Sequence, residues 1–122
     1  GKKICIVDDS IVRGTTMITR VKKLRELGAK EVHIRISCPP VKYPCHYGID
    51  FSSRGELIAA QCTLPEIVSR LDVDSLHYLS IDGLLRSVMH SDSYCLACFT
   101  GEYPVPCEEC DKYRLEGPCG SR

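Results

Sequence analysis

The chain has 122 residues, the size of one domain, and its 16 basic residues balance 16 acidic ones. No global field therefore recruits nucleic acid or an anionic membrane, and a phosphate ligand would have to be gripped locally. The longest apolar runs, such as Ile4 to Val7, fall far short of the roughly 20 residues that span a bilayer. No charged-then-apolar signal segment opens the sequence, so a soluble, cytoplasmic protein is expected. Nine cysteines, an odd number, fit reduced thiols or a metal centre better than a fully paired secreted disulfide scaffold. The sequence opens on Gly1 and enters a strand pattern within three residues, as an excised piece of a longer protein or a partial gene model would.

Lys3 to Asp8 is a β-branched run ending in acid, followed by the polar, glycine-containing stretch Ser10 to Thr16. This reads as a strand feeding a loop, with Asp8 and Asp9 at the strand's carboxyl end. From Thr16, Ile18, Val21, Leu24 and Leu27 recur at helical spacing, and Gly28 is placed to end the helix. Glu31 to Ser37 alternates Val32, Ile34 and Ile36 with His33 and Arg35. A strand joined through a helix to a second strand implies a parallel β-α-β unit, so the fold class is α/β. Cys38 to Asp50 holds three prolines and one glycine, an irregular segment at the carboxyl side of that strand, where function is commonly carried. Short helices are predicted over Glu56 to Ala60 and Leu64 to Leu71, a third strand over Ser75 to Ser80, and a helix over Ile81 to Met89. Beyond Asp92 the pattern dissolves into cysteines, prolines, glycines and charges with no periodic apolar face.

The segment Ile6 to Thr16 combines two carboxylates with a small-residue loop that opens a helix. A phosphate monoester needs convergent donors. The amides of the helix start, the hydroxyls of Ser10, Thr15 and Thr16, and the close backbone approach allowed by Gly14 can supply them, with Arg13 adding charge. Hydrogen bonds to a charged group contribute roughly 1.5–3 kcal/mol each and the helix terminus about 0.3–1 more. Asp8 and Asp9, just upstream, can accept hydrogen bonds from vicinal sugar hydroxyls or help hold a magnesium ion. A ribose 5-phosphate fits that order. The plainer alternative is a solvated strand end followed by an ordinary turn. The coincidence of paired acids, hydroxyl-rich loop and helix start at one place favours the phosphate.

That string closely resembles the phosphoribosyl pyrophosphate signature of type I phosphoribosyltransferases. Gly28 to Arg35, Pro39 to Cys45, Tyr47 to Asp50, Glu56 to Ala59, Tyr78 to Leu84 and Cys95 to Pro104 resemble, in order, the amidophosphoribosyltransferase family. The resemblance covers residues 3 to about 104. It implies a partial type I phosphoribosyltransferase fold with a parallel sheet: residues 1–90 as the carboxy-terminal half of that domain and residues 91–122 as an irregular cysteine-rich tail. The implied reaction yields 5-phosphoribosylamine, pyrophosphate and glutamate in de novo purine synthesis. By the same resemblance Asp8 and Asp9 meet ribose hydroxyls and magnesium, and Arg13 to Thr16 form the 5-phosphate loop. The family's glutaminase uses an amino-terminal cysteine. Residue 1 is Gly1, and Cys5 lies in a predicted strand where a small apolar residue would serve. The family's pyrophosphate loop and flexible active-site loop also precede this region, so the isolated chain is not expected to turn over. The implied partners are a glutaminase domain, further copies in a homo-oligomer and inhibitory purine nucleotides, with no nucleic acid and no membrane.

Cys95 with Cys98, and Cys107 with Cys110, form two Cys-x-x-Cys pairs, which by spacing alone could ligate one zinc ion. The family resemblance points instead to a structural [4Fe-4S] cluster held by Cys45, Cys95 and Cys98, with a fourth ligand outside this chain. Such a cluster would staple the proline-rich loop to the tail. Cys107, Cys110 and Cys119 depart from the family pattern. His33 and His46 read as ordinary polar strand and loop residues, and Lys22, Lys23 and Arg25 as the solvated face of an amphipathic helix. Two rival readings are a non-catalytic regulator on the same fold, which no basic DNA-reading surface supports, and a small zinc-binding interaction module.

Overall fold

The computed structural model describes residues 1–49, 53–89 and 91–105. Three parallel strands, β1 (Lys3–Asp8), β2 (Glu31–Ile36) and β3 (Ser75–Tyr78), lie in the order β1-β2-β3. The register pairs Lys3 with Glu31 through to Asp8 with Ile36, and His33 with Ser75 through to Ile36 with Tyr78. Between them run α1 (Thr15–Glu26), the short α2 (Ile58–Gln61) and α3 (Leu64–Leu71); α4 (Ile81–Arg86) and α5 (Ala97–Thr100) follow. Two successive right-handed crossovers in one direction put their helices on the same face of the sheet. Met17 and Val21 of α1 and Ile67 and Leu71 of α3 accordingly share one core with Val32, Ile34, Ile36 and Leu76. Val21, Val32 and Ile34 are fully buried, and each such side chain contributes about 1.5–3 kcal/mol through burial.

The opposite face is not covered by the described residues. Val7 is 72% exposed, and Cys5, inside β1 as expected, is exposed as well. Parallel sheets are ordinarily covered on both faces. Here the uncovered side carries a polar lattice instead. Lys3 pairs with Glu31 at 2.9 Å, and His33 joins Ser75 Oγ at 2.9 Å and Glu31 Oε2 at 3.2 Å, a structural use of this histidine.

The predicted elements are present with shifted ends. Leu27, expected on the apolar stripe of α1, is exposed because the helix stops at Glu26 and Gly28, at φ 86°, turns the chain away. The helix predicted from Glu56 starts later: a 3-10 turn covers Arg54–Glu56, and the extended backbone of Leu57 separates it from α2. β3 stops at Tyr78, since Ser80 caps α4 by accepting the Gly83 amide. α4 ends at Arg86 rather than Met89, where the Ser87 hydroxyl donates to the Leu84 carbonyl at 2.7 Å. α3 begins as its sequence dictates. Thr63 and Glu66 form a reciprocal capping box, and Pro65 occupies the first turn.

Arg25 does not belong to a merely solvated face. Its guanidinium donates to the carbonyls of Lys30 and Asp72 and to Asp74 Oδ2 at 2.8 Å. Asp74 Oδ2 also accepts the Val32 amide at 2.7 Å. The end of α1, the start of β2 and the turn into β3 are thereby tied at one point. The Val32 amide first, and Arg25 second, hold the Asp74 carboxyl below its usual range.

Candidate functional site

β1 ends at Asp8 and α1 begins at Thr15, so residues 9–14 make a tight turn at the carboxyl end of the sheet. Three contacts fix it. Ile11 is buried in the core, the Val12 carbonyl accepts the Ile58 amide at 2.9 Å, and Gly14 packs against the side chain of Ile58. Gly14 has φ 80°, and a Cβ there would lie 3.0 Å from Ile58 Cδ1. Conformation and space both exclude a side chain. The Gly14 carbonyl accepts the Ile18 amide at 2.9 Å and so starts the helix.

This turn encloses a cavity of about 300 Å³ lined by residues 8–17 and by Arg20. Asp8, Asp9, Ser10, Arg13, Gly14, Thr15 and Thr16, the residues singled out from sequence, all line it. The two acids differ. Asp8 Oδ2 accepts from Arg20 Nη1 at 2.6 Å and Oδ1 accepts the Asp9 amide at 3.1 Å. The Asp9 carboxylate has no hydrogen bond or ion pair among the described residues, and its charge helps to raise the Cys38 thiol. Arg13 lines the cavity while its Nη2 donates to Glu56 Oε2 at 3.1 Å.

Two participants were not singled out from sequence. Arg20 lies one helical turn past Thr16, and long helical side chains lean toward the helix amino terminus, which is the signal that would have found it. Cys38 lines a second cavity, of about 340 Å³, together with Asp9, Ser10 and Cys98. Burial first, then the charges of Asp9 and Cys98, push the Cys38 thiol up to about 11. It is protonated at neutral pH.

No protein-family model matches the chain. Curated relatives do. The amidophosphoribosyltransferase of Synechocystis is 57% identical over 106 residues, 86% of this chain and 21% of that protein. That of Archaeoglobus fulgidus is 52% identical over 116 residues, 91% of this chain and 25% of that protein. The solved structure of glutamine phosphoribosylpyrophosphate amidotransferase from Bacillus subtilis, complexed with ADP and GMP, superposes with a TM-score of 0.81. It is 46% identical in sequence, over 91% of this chain and 26% of that one. The chain belongs to the amidophosphoribosyltransferase family. It spans about a fifth to a quarter of the length of these relatives, and its three-stranded parallel sheet is the phosphoribosyltransferase part of the amidophosphoribosyltransferase fold.

Cys45, Cys95 and Cys98, the three cysteines singled out from sequence, belong to the segments that follow Cys38. The loop of residues 38–49 is laced to α5 and the residues after it. The amides of Lys42 and Tyr43 both donate to the Cys98 carbonyl at 3.0 Å, and the Tyr103 hydroxyl donates to the Pro44 carbonyl at 2.7 Å. The Tyr47 hydroxyl bridges the amide and carbonyl of Val105. The His46 and Tyr103 rings meet at a tilt of 49°, their centroids 4.8 Å apart. Gly101, at φ 82°, lets the Tyr43 ring approach to where a Cβ would be 2.9 Å away. α5 itself was not foreseen, because four residues are too few to show a period. The Cys98 thiol is raised by burial first and then by the nearby Cys45 and Cys95 thiols, so the three sulfurs share one neighbourhood.

Among the described residues no three His, Cys, Asp or Glu side chains converge on a single ion. A single zinc ion would need such a convergence. A [4Fe-4S] cluster presents a different iron to each cysteine, so its ligands stand around the cluster rather than on one point. Cys45, Cys95 and Cys98 are free thiols, and the Tyr47 amide donates to Cys45 Sγ at 3.4 Å. Cys107, Cys110 and Cys119 lie outside the described residues. No helix among the described residues is long and apolar enough to cross a membrane.

Proposed function

We propose that this chain is the ribose-5-phosphate-gripping part of an enzyme that forms 5-phosphoribosylamine from phosphoribosyl pyrophosphate and glutamine-derived ammonia, in de novo purine synthesis. The observation that carries the reading is the cavity at the strand–helix turn, where phosphate donors and paired carboxylates line one space. The amides and hydroxyls of Ser10, Thr15 and Thr16, with the open backbone of Gly14, hold the 5-phosphate, and Arg13 contributes positive charge at the rim. Asp9, with its free carboxylate, and Asp8 accept the vicinal ribose hydroxyls. The sugar is then fixed at both ends, and its anomeric carbon is oriented toward the incoming nitrogen.

The ammonia lone pair forms the new C–N bond as the C–O bond to pyrophosphate breaks. The electron pair leaves with pyrophosphate, and the new amine loses a proton. Residues of this chain do little covalent work; they position and exclude alternatives. Magnesium, when bound with substrate, would spread the leaving group's charge, and Asp8 and Asp9 are the oxygen donors suited to it. Ammonia would come from the glutaminase domain of the complete enzyme. Purine nucleoside monophosphates carry the same ribose 5-phosphate unit, so the loop that grips the substrate would also admit them as inhibitors. A [4Fe-4S] cluster on Cys45, Cys95, Cys98 and one further ligand would pin the proline-rich loop structurally, and residues 91–122 would form the tail unit built around it.

Replacing Thr15 by Val or Asp9 by Asn in the full-length protein should raise the KM for phosphoribosyl pyrophosphate about tenfold or more, the loss of one hydrogen bond to a charged group. The KM for ammonia should stay within about twofold. An unchanged phosphoribosyl pyrophosphate KM in both variants would remove the loop from the substrate site.

A further inference from the structure

Arg20 stands on α1 one turn after the phosphate loop, half exposed and reaching back toward the helix start. Its Nη1 donates to Asp8 Oδ2 at 2.6 Å, while the Asp9 amide donates to Asp8 Oδ1 at 3.1 Å. Both Asp8 oxygens are thus directed before any ligand arrives, and the carboxylate has one orientation rather than a free rotor. Asp9 has no comparable restraint among the described residues. Arg20 also borders the cavity itself, so the pair is part of its wall. With Arg20 Nη1 on one oxygen and the Asp9 amide on the other, the plane of the carboxylate is defined, and a planar guanidinium directs its N–H bonds in a way that a lysine point charge does not.

We propose that Arg20 is a positioning residue that sets sugar specificity: by locking the plane of Asp8, it aims the remaining lone pairs of that carboxylate at the ribose hydroxyls. The inference rests on the reading of the cavity as a ribose 5-phosphate site and deepens it. Without Arg20 the Asp8 carboxylate rotates, and the hydrogen bond that distinguishes a ribose from a deoxyribose is lost. The phosphate loop is untouched.

The test is calorimetric titration of the full-length protein with ribose 5-phosphate and 2-deoxyribose 5-phosphate, for the wild type, R20A, R20K and D8N. The wild type should prefer the ribose ligand by about tenfold, the value of one hydrogen bond to a carboxylate. R20A should reduce that preference to about twofold or less while leaving deoxyribose 5-phosphate affinity within about twofold. R20K should fall between the two, and adding R20A to D8N should change nothing further. R20A weakening both sugars equally would make Arg20 a phosphate ligand or a general structural residue and overturn the proposal, as would an R20A preference equal to the wild type's. A wild type that binds neither sugar would sink the site reading itself, and is told apart because it fails before any variant is compared.

Discussion

Asp74 illustrates how one exposed carboxylate can hold three elements in register. It accepts the Val32 amide and the Arg25 guanidinium, and both contacts favour the ionised form, so its pKa is lower in the folded protein than in the unfolded chain. Its stabilising contribution is complete above the unfolded value of about 3.9 and disappears as pH falls through the lower folded value. Denaturant titrations of D74N and wild type should therefore differ at neutral pH and converge in strong acid. Curves that stay parallel through the acid range would show that the carboxylate charge is not what holds the turn. Gly14 carries the opposite kind of constraint, one of conformation and space. G14A forces a side chain into the left-handed region, which destabilises by about 1–2 kcal/mol, and presses on Ile58 Cδ1. Urea unfolding should show at least that loss, together with weakened ribose 5-phosphate binding. Wild-type stability in G14A would mean that the turn relaxes freely.

At the scale of elements, the strand–loop–helix unit was legible because each part carries a local signal. A β-branched run, a glycine with hydroxyl residues and a helical apolar stripe follow one another within residues 3–26. The seven loop residues chosen from sequence share one cavity because they are contiguous, and contiguity needs no tertiary knowledge. Arg20 and Cys38 were missed for the converse reason. Their relevance arises from Asp8 and Cys98, 12 and 60 residues away, and only the packed chain reveals it. Arg25 was misread because three basic residues on a helix look alike in sequence, while only one of them faces the turn that holds Asp74. A tie between the proline-rich loop and the tail was expected through the cysteines, but the backbone amides and aromatic rings that make it were hidden, since they follow no spaced motif. Gly101 is its tightest point. G101A should displace Tyr43 and lower the iron and sulfide content of anaerobically purified full-length protein, seen as weaker visible charge-transfer absorption. Full iron content in G101A would separate that packing from the thiol site.

At the scale of the whole molecule, the uncovered face of the sheet and the one-fifth to one-quarter coverage of the relatives agree. On the proposed reading the segment would supply a grip on a phosphorylated sugar and a thiol-rich brace beside it. The cavity shared by Asp9, Ser10, Cys38 and Cys98 brings the two within one wall of each other, so changes in the brace can reach the grip through packing. The central claim is that the turn of residues 8–16 serves phosphoribosyl transfer to ammonia. It is tested most directly by measuring pyrophosphate release from phosphoribosyl pyrophosphate by the full-length wild-type protein, with ammonium salt and magnesium supplied. The account predicts release that depends on both substrates and matches 5-phosphoribosylamine formation one for one; no ammonia-dependent release from a folded, iron-loaded protein would contradict it.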